Sequence, residues 1–259
     1  MPRRPDEARR RQDALKAMLA RGERLSTVRL SARLGVAPMT IRRDLDALQR
    51  DGAAVRTHGG AVTARRISFS FAFEERRLRH LAEKRRIGSE AARRVRAGET
   101  VFLDTGTTTL EVARALAARA IPCRVATSSL VVASLLWNRP PVELLLLGGR
   151  VRQSSPDLVG FGTELLLDRL AADTAFVGSE GLDPVLGSFA EDPEAARVTE
   201  RMAANARRVV CVADASKLGH AGPVRSLAAA DLDELITDRA ADRSSVDDLR
   251  ARGVHVSLV

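Results

Sequence analysis

The chain has 259 residues, 45% of them hydrophobic and 29% charged, which is enough apolar material for one or two packed domains and excludes a disordered chain. Its net charge of +9 is uneven: residues 1–66 hold 16 Lys or Arg against 7 Asp or Glu, while residues 67–259 hold 26 against 26. A small basic module able to meet a polyanion, joined to a larger neutral domain, follows from that placement, and an acidic partner surface is disfavoured.

Of the basic residues only Lys16, Lys84 and Lys217 are Lys; codon usage can set Arg over Lys but not where they fall. The charged start, Met1 to Arg11, lacks the apolar stretch of a secretory signal, so the chain is expected to be cytoplasmic. From Asp6 to Gly22 the apolar positions Leu15, Met18 and Leu19 predict a first amphipathic helix. A second follows Leu25, capped by Ser26 or Thr27, with Leu30 and Leu34 inward and Gly35 as its stop. Pro38 opens a third, whose buried face carries Ile41, Leu45 and Leu48. Two helices around a glycine turn, the second with arginines on its open face, suit a DNA major groove. Ala53 to Arg56 and Gly60 to Val62 can then pair as a hairpin, a wing.

These residues resemble the DeoR family of bacterial transcription regulators, a winged helix-turn-helix class. The resemblance joins Arg11, Leu15 and Leu19 to the run Ala37-Pro38-Met39-Thr40-Ile41-Arg42-Arg43-Asp44-Leu45 and to Thr57-His58-Gly59-Gly60-Ala61-Val62. Ala37 departs from it, since family members commonly have a capping Ser there. Double-stranded operator DNA is the implied partner. Thr40 and Arg42 are the candidates for base contacts, and Arg24, Arg43 and Arg56 for phosphate contacts. Ser26, Pro38, Met39 and His58 complete the expected DNA-binding set. An ion pair of Arg43 with Asp46 or Asp51 is the competing assignment, and Asp44 is expected to orient a neighbouring arginine.

Residues 61–73 read as a linker with a docking end, in which the alternation of Phe69, Phe71 and Phe73 predicts a strand packed on a core rather than a platform for bases. Beyond Lys84, seven apolar runs alternate with helical patterns: Thr100 to Leu103, Cys123 to Ala126, Val142 to Leu147, Thr174 to Val177, Val209 to Ala213, Glu234 to Ile236 and Val254 to Leu258. They imply an α/β domain with a mostly parallel, helix-covered sheet. None of the apolar runs approaches the roughly 20 residues of a membrane span. Cys123 and Cys211 lie in apolar runs and the histidines are scattered, so buried thiols are expected and neither a metal site nor another cofactor.

Ligands of such sheets bind beyond the strands' carboxyl ends, which here read Asp104-Thr105-Gly106-Thr107-Thr108-Thr109, Thr127-Ser128-Ser129, Gly148-Gly149-Arg150, Gly178-Ser179-Glu180-Gly181 and Asp214-Ala215-Ser216-Lys217. The first is the most informative: Gly106 permits close backbone approach and three hydroxyls stand at the start of a helix expected over Leu110 to Ala118, where free amides and the dipole favour phosphate. Capping would account for one hydroxyl of the three. Gly148-Gly149 could equally be a turn, and Asp214 could simply pair with Lys217.

With Glu75-Arg76 and Lys84, these segments are similar to the DeoR-family sensor domain, which itself resembles the ribose 5-phosphate isomerase and glucosamine 6-phosphate deaminase folds. The resemblance implies a phosphorylated sugar as effector. Gly106, Thr107, Thr108 and Thr109 would hold its phosphate, Asp104, Thr127, Ser128, Gly148 and Gly149 would line the sugar, and Asp214 and Lys217 would complete the effector set. Gly187-Ser188-Phe189-Ala190 departs from the family pattern by placing a bulky apolar residue where a polar contact is common.

The expected organisation is a winged helix-turn-helix domain over 1–60 (helix-turn-helix about 25–44), a linker over 61–73 and a sensor and oligomerisation domain over 74–259. The expected function is sequence-specific transcriptional regulation by a homo-oligomer, at least a dimer, with repression relieved by a sugar phosphate. A phosphosugar isomerase or deaminase with a DNA-binding appendage is the alternative, but Asp104, Glu180, Asp183, Glu191 and Asp214 match no catalytic run of those enzymes, so no enzyme activity is expected. A third reading, a nucleoid-type binder, would show similar affinity for every duplex.

Overall fold

The computed structural model describes residues 5–20, 23, 25–50, 54–57, 59–63 and 71–259, in two compact units, Met1–Phe69 and Ser70–Val259. The first unit holds helix α1 (Pro5–Ala20), strand β1 (Leu25–Ser26), helices α2 (Thr27–Leu34) and α3 (Pro38–Arg50), and the hairpin β2 (Ala54–Thr57) and β3 (Gly60–Thr63). Leu15, Met18, Leu19, Leu30, Ile41, Leu45 and Leu48 form its core, as the helical spacing requires. Ser26 caps α2 by accepting from the Arg29 amide, and Gly35 ends it. Strand β1, too short to read from pattern, adds to β3 to make a three-stranded sheet in the order β1-β3-β2.

The second unit opens with α4 (Phe71–Leu78) and α5 (Leu81–Arg93), followed by β4 (Thr100–Leu103), α6 (Thr107–Arg119), β5 (Cys123–Thr127), α7 (Leu130–Leu136) and β6 (Val142–Leu146). Next come β7 (Arg150–Val151), β8 (Leu158–Val159), α8 (Phe161–Leu167), β9 (Thr174–Val177), β10 (Gly181–Asp183), β11 (Gly187–Ala190) and α9 (Pro193–Ala204). The chain finishes with β12 (Val209–Val212), β13 (Val224–Leu227), β14 (Glu234–Thr237), α10 (Arg243–Ala251) and β15 (His255–Leu258).

The seven apolar runs are the seven strands of one parallel sheet, in the order β15-β14-β12-β9-β4-β5-β6. Strands β9, β12 and β14 are buried along their whole length, the condition of a parallel sheet covered on both faces. The chain runs outward from β4 through β5 to β6, then returns to place β9 on the other side of β4 and continues to β15. The direction of winding therefore reverses between β4 and β9, and that reversal opens a crevice at the carboxyl ends of those two strands. Cys123 and Cys211 are both buried, on β5 and β12.

Two expectations are corrected. The phenylalanine alternation marks a helix, not a strand: Phe71 and Phe73 belong to α4, with Phe73 buried, while Phe69 lies outside the described residues. Three alternating positions are too few to separate period 2 from 3.6, and the ion pair of Glu75 with Arg79 at i,i+4 supports the helix. The linker expected over 61–73 loses both ends, residues 61–63 to β3 and 71–73 to α4. A small antiparallel sheet, β10-β11-β13, and the pair β7-β8 carry no alternation and were not legible; Gly187 to Ala190 is thus a strand.

Helices α5 and α6 meet at Gly88, where an added Cβ would lie 2.5 Å from the backbone carbon of Glu111. Neither backbone can yield cheaply, so Gly88→Ala is expected to cost the sensor unit about 1–3 kcal/mol, read as a lower midpoint in urea unfolding.

Candidate functional site

The crevice between β4 and β9 is a cavity of about 440 Å³. Its floor is Asp104 to Thr108 after β4 and Gly178 to Glu180 after β9; Arg76, Arg79, His80 and Lys84 come from the α4–α5 junction, Asp214, Ser216 and Lys217 from the end of β12, and Arg152, Ser155 and Phe189 from the neighbouring short strands and turns.

Gly106, with φ of 140°, turns the chain from β4 into α6, and no side chain caps that helix. The first-turn amides of any helix have no intrahelical acceptor, and here Thr107 and Thr108 border the cavity with them. The Thr105 hydroxyl is buried and has no hydrogen-bond partner. The Asp104 carboxylate is buried and accepts from the Thr105 amide at 2.7 Å and the Thr199 hydroxyl at 3.0 Å, yet burial dominates and pushes its pKa up to about 6.

Facing this acid is a set of cations. Lys84 is buried, donates to the carbonyls of Arg76 and Arg79 and stands 3.8 Å from Asp214; burial lowers its pKa, with the charge of Asp214 opposing. Lys217 pairs with Glu180 at 2.9 Å. Arg152, also buried, is held by Asp157 at 3.0 Å and by Asp192. A cavity bordered by the first turn of a helix, a spare hydroxyl and several cations can hold an anion bearing hydroxyl groups.

Of the residues singled out from the sequence, Asp104, Gly106, Thr107, Thr108, Asp214 and Lys217 line this cavity. Asp214 and Lys217 each have another partner: Asp214 accepts from the Ser216 amide and hydroxyl, and Lys217 pairs with Glu180.

Thr109, Thr127, Ser128, Gly148 and Gly149 do not line the cavity. The Thr109 hydroxyl donates to the Gly106 carbonyl at 3.0 Å, and Thr127 donates to the Leu103 carbonyl at 2.7 Å while accepting from the Ser129 amide. The Ser128 carbonyl receives the Leu158 amide and its hydroxyl is buried without a partner. Gly148 accepts from the Thr163 hydroxyl at 2.5 Å, and a Cβ on Gly149 would lie 2.2 Å from that hydroxyl. For the last four the physical reason is strand order: β5 and β6 lie beyond β4 on the side away from the reversal, so their ends meet β8 and α8 instead.

Arg152 and Thr199 enter the site only through the tertiary fold, while Glu180 lies on a strand end already read from the sequence as ligand-facing. Lys84 carried a usable signal, as one of three lysines in an arginine-rich chain, lying within an apolar helical pattern. Phe189 is buried and lines the cavity, so the apolar departure noted in the sequence faces the site.

Asp104 supplies a pH prediction. Because its folded pKa is raised, the unfolded chain loses this proton first, and stability falls as pH rises from the ordinary carboxyl range through about 6. Between pH 5 and pH 7.5 this group should remove about 1.4 kcal/mol of stability, and Asp104→Asn should abolish that part of the slope in urea titrations.

In the first unit, Pro38, Met39, Arg42 and Arg43 are exposed on α3 and Thr40 is half-buried. Ser26 is engaged as the cap of α2. Asp44 is buried and accepts from Arg11 at 2.5 Å and 3.2 Å and from Gln12 at 3.3 Å, so the arginine it orients lies on α1, and the pair fixes α3 against α1. Arg24, His58 and the side chain of Arg56 lie outside the described residues.

Two family models match the chain: the DeoR-like helix-turn-helix domain over residues 11–66 and the DeoR C terminal sensor domain over residues 79–239. The chain belongs to the DeoR family. Among relatives, this DeoR-family regulator is 35% identical over 227 residues to the HTH-type transcriptional regulator GlpR of Haloferax volcanii, covering 88% of each chain. It is 33% identical over 232 residues to a putative aga operon transcriptional repressor of Escherichia coli O157:H7, covering 89% of this chain and 86% of that one. To the glycerol-3-phosphate regulon repressor of Escherichia coli K12 it is 32% identical over 215 residues, covering 83% and 84%. Among solved structures it is similar to ribose 5-phosphate isomerase A of Methanocaldococcus jannaschii, with 19% identity, a TM-score of 0.42 and coverage of 54% and 55%. Among the described residues of this DeoR-family protein no helix is long and apolar enough to cross a membrane.

Proposed function

We propose that this DeoR-family regulator represses a carbohydrate-metabolism operon and releases it when a phosphorylated sugar occupies the cavity between β4 and β9. The single observation behind the effector is the uncapped start of α6 opening on a cavity that also holds Lys84, Lys217 and Arg152: amides, dipole and cations all favour phosphate. Two of the named relatives support repression, the aga operon repressor and the glycerol-3-phosphate regulon repressor, and the second also supports a phosphorylated effector. In this reading Gly106, Thr107 and Thr108 bind the phosphate, Asp104 and the Thr105 hydroxyl meet the sugar hydroxyls, and Phe189 packs on an apolar part of the ligand. Thr109, Thr127, Ser128, Gly148 and Gly149 support the site from behind rather than touch the ligand.

Thr40 and Arg42 read base edges while Arg24, Arg43 and Arg56 contact phosphates, with Ser26, Pro38, Met39 and His58 flanking them. Paired half-sites require at least a dimer. In this reading the protein acts in the cytoplasm as a regulator and not as an enzyme, and no turnover of ribose 5-phosphate or glucosamine 6-phosphate is expected.

The deciding experiment is fluorescence anisotropy on duplexes from upstream of the gene's own cluster, at one fixed salt concentration, with and without a panel of phosphorylated sugars. Specific binding released by one of them is the expected result; equal affinity for all duplexes, or release by none of the panel, overturns the DNA or the effector half of the proposal respectively.

A further inference from the structure

Strand β6 ends the large sheet, with β5 on one side and, among the described residues, no strand on the other. Leu147, which follows it, sends its amide to the Thr127 carbonyl of β5. Backbone groups alternate in direction along a strand, so the N–H and C=O of Leu144 and Leu146 point away from β5, to the open side. Open sheet edges are ordinarily guarded by charges, proline or a bulge. The opposite edge, β15, carries His255 and Ser257, whereas Leu144 to Leu147 is an unbroken run of leucine. Around that run Leu145, Leu146, Val151 of β7 and Phe161, Leu165 and Leu166 of α8 are 40–79% exposed. Together they offer about 500 Å² of apolar surface, a large part of the roughly 800 Å² that each partner gives to a standard interface.

The charges and the backbone select the same occupant. Glu143 near the start of β6 and Arg150 just after its end are both exposed, so the edge is negative at one end and positive at the other. A second copy running antiparallel brings each end toward its opposite, and a parallel one does not. A two-fold axis at Leu145 sets Leu144 of each copy opposite Leu146 of the other, and these are the residues whose N–H and C=O point outward, so four hydrogen bonds close. We propose, on the reading that paired half-sites require two copies of this chain, that the β6 edge is the surface through which the copies join, with the two β6 strands antiparallel about that axis and the exposed side of α8 covered in the same joint. A contact that uses one patch on both copies closes on itself, so each such joint leaves no open edge at β6.

Sedimentation equilibrium on the full-length protein tests this, and the wild-type chain should form an even-numbered oligomer. Residue 145 faces its own copy across the axis, so a charge placed there opposes itself. Leu145→Lys and Leu145→Glu, at an exposed position, should each halve the oligomer, with a dissociation constant raised about 100-fold or more. Mixed one to one they set Lys against Glu, and assembly should return to within about tenfold of the wild type, a recovery that misfolded chains do not give. Phe161→Ser, away from the ladder, should raise the dissociation constant about tenfold, and it serves if the charged variants do not fold. Assembly retained by all three variants overturns the β6 surface and leaves the pairing of copies standing. Dissociation of both charged variants without recovery on mixing overturns the antiparallel joint at Leu145. A monomeric wild-type chain overturns the surface and the dimer reading with it.

Discussion

Arg42→Ala is expected to weaken operator binding about 5- to 150-fold, the roughly 1–3 kcal/mol of one specific base contact, while leaving effector binding unchanged. Arg42 is exposed on α3, and the buried Asp44 two residues on is tied to Arg11, so the helix that carries Arg42 is held by a contact the substitution does not touch. Arg43→Ala provides the contrast: a phosphate contact should be lost about equally on operator and random duplexes, with the salt dependence reduced by about one counterion. Anisotropy titrations at several salt concentrations separate the two. Equal losses for Arg42→Ala on every duplex would remove it from base readout.

Thr107→Glu is expected to lower affinity for the effector on the order of 100-fold or more and so to produce a repressor that the sugar phosphate no longer releases. Thr107 is the first residue of α6 and is half-buried at the cavity. A carboxylate at that position suits the helix dipole, so the fold should tolerate it, but it would stand where the ligand's phosphate is proposed to sit. Two like charges about 4 Å apart repel by about 4 kcal/mol at the effective dielectric of a protein surface, which sets the size of the effect. Calorimetry with the identified effector measures it, and operator affinity without effector should match the wild type. Unchanged effector affinity would move the phosphate away from the start of α6.

Periodicity suffices for the helices of the first unit and for the strands of the large sheet. Leu15, Ile41 and Leu45 recur at helical spacing and are buried together, and the seven apolar runs after Lys84 are the seven parallel strands, because a strand buried on both faces must be apolar throughout. Short elements without an apolar run escaped, since Leu158–Val159 has only two residues and Gly187–Ala190 mixes Gly and Ser with Phe and Ala, too little pattern to distinguish strand from loop. The helix over Phe71–Leu78 was misread for the related reason that three phenylalanines fit two periods at once.

The candidate site divides along the same line. That Asp104 to Thr108 end a strand and begin a helix is a local matter, and local residues state it: the chemistry suited to phosphate is written in Gly106 and the threonines themselves. Which other strand ends share their cavity is a matter of sheet order, decided by the return of the chain to place β9 beside β4. That order brings Gly178 to Glu180 and Lys217 to the cavity and turns Thr127 and Gly148 away from it. The roles of Lys84 and Arg152 depend on partners at Asp214 and Asp192, 130 and 40 residues away in the chain. No spacing rule reaches that far, so the residue types announced the chemistry and the packing of distant segments chose which of them carry it.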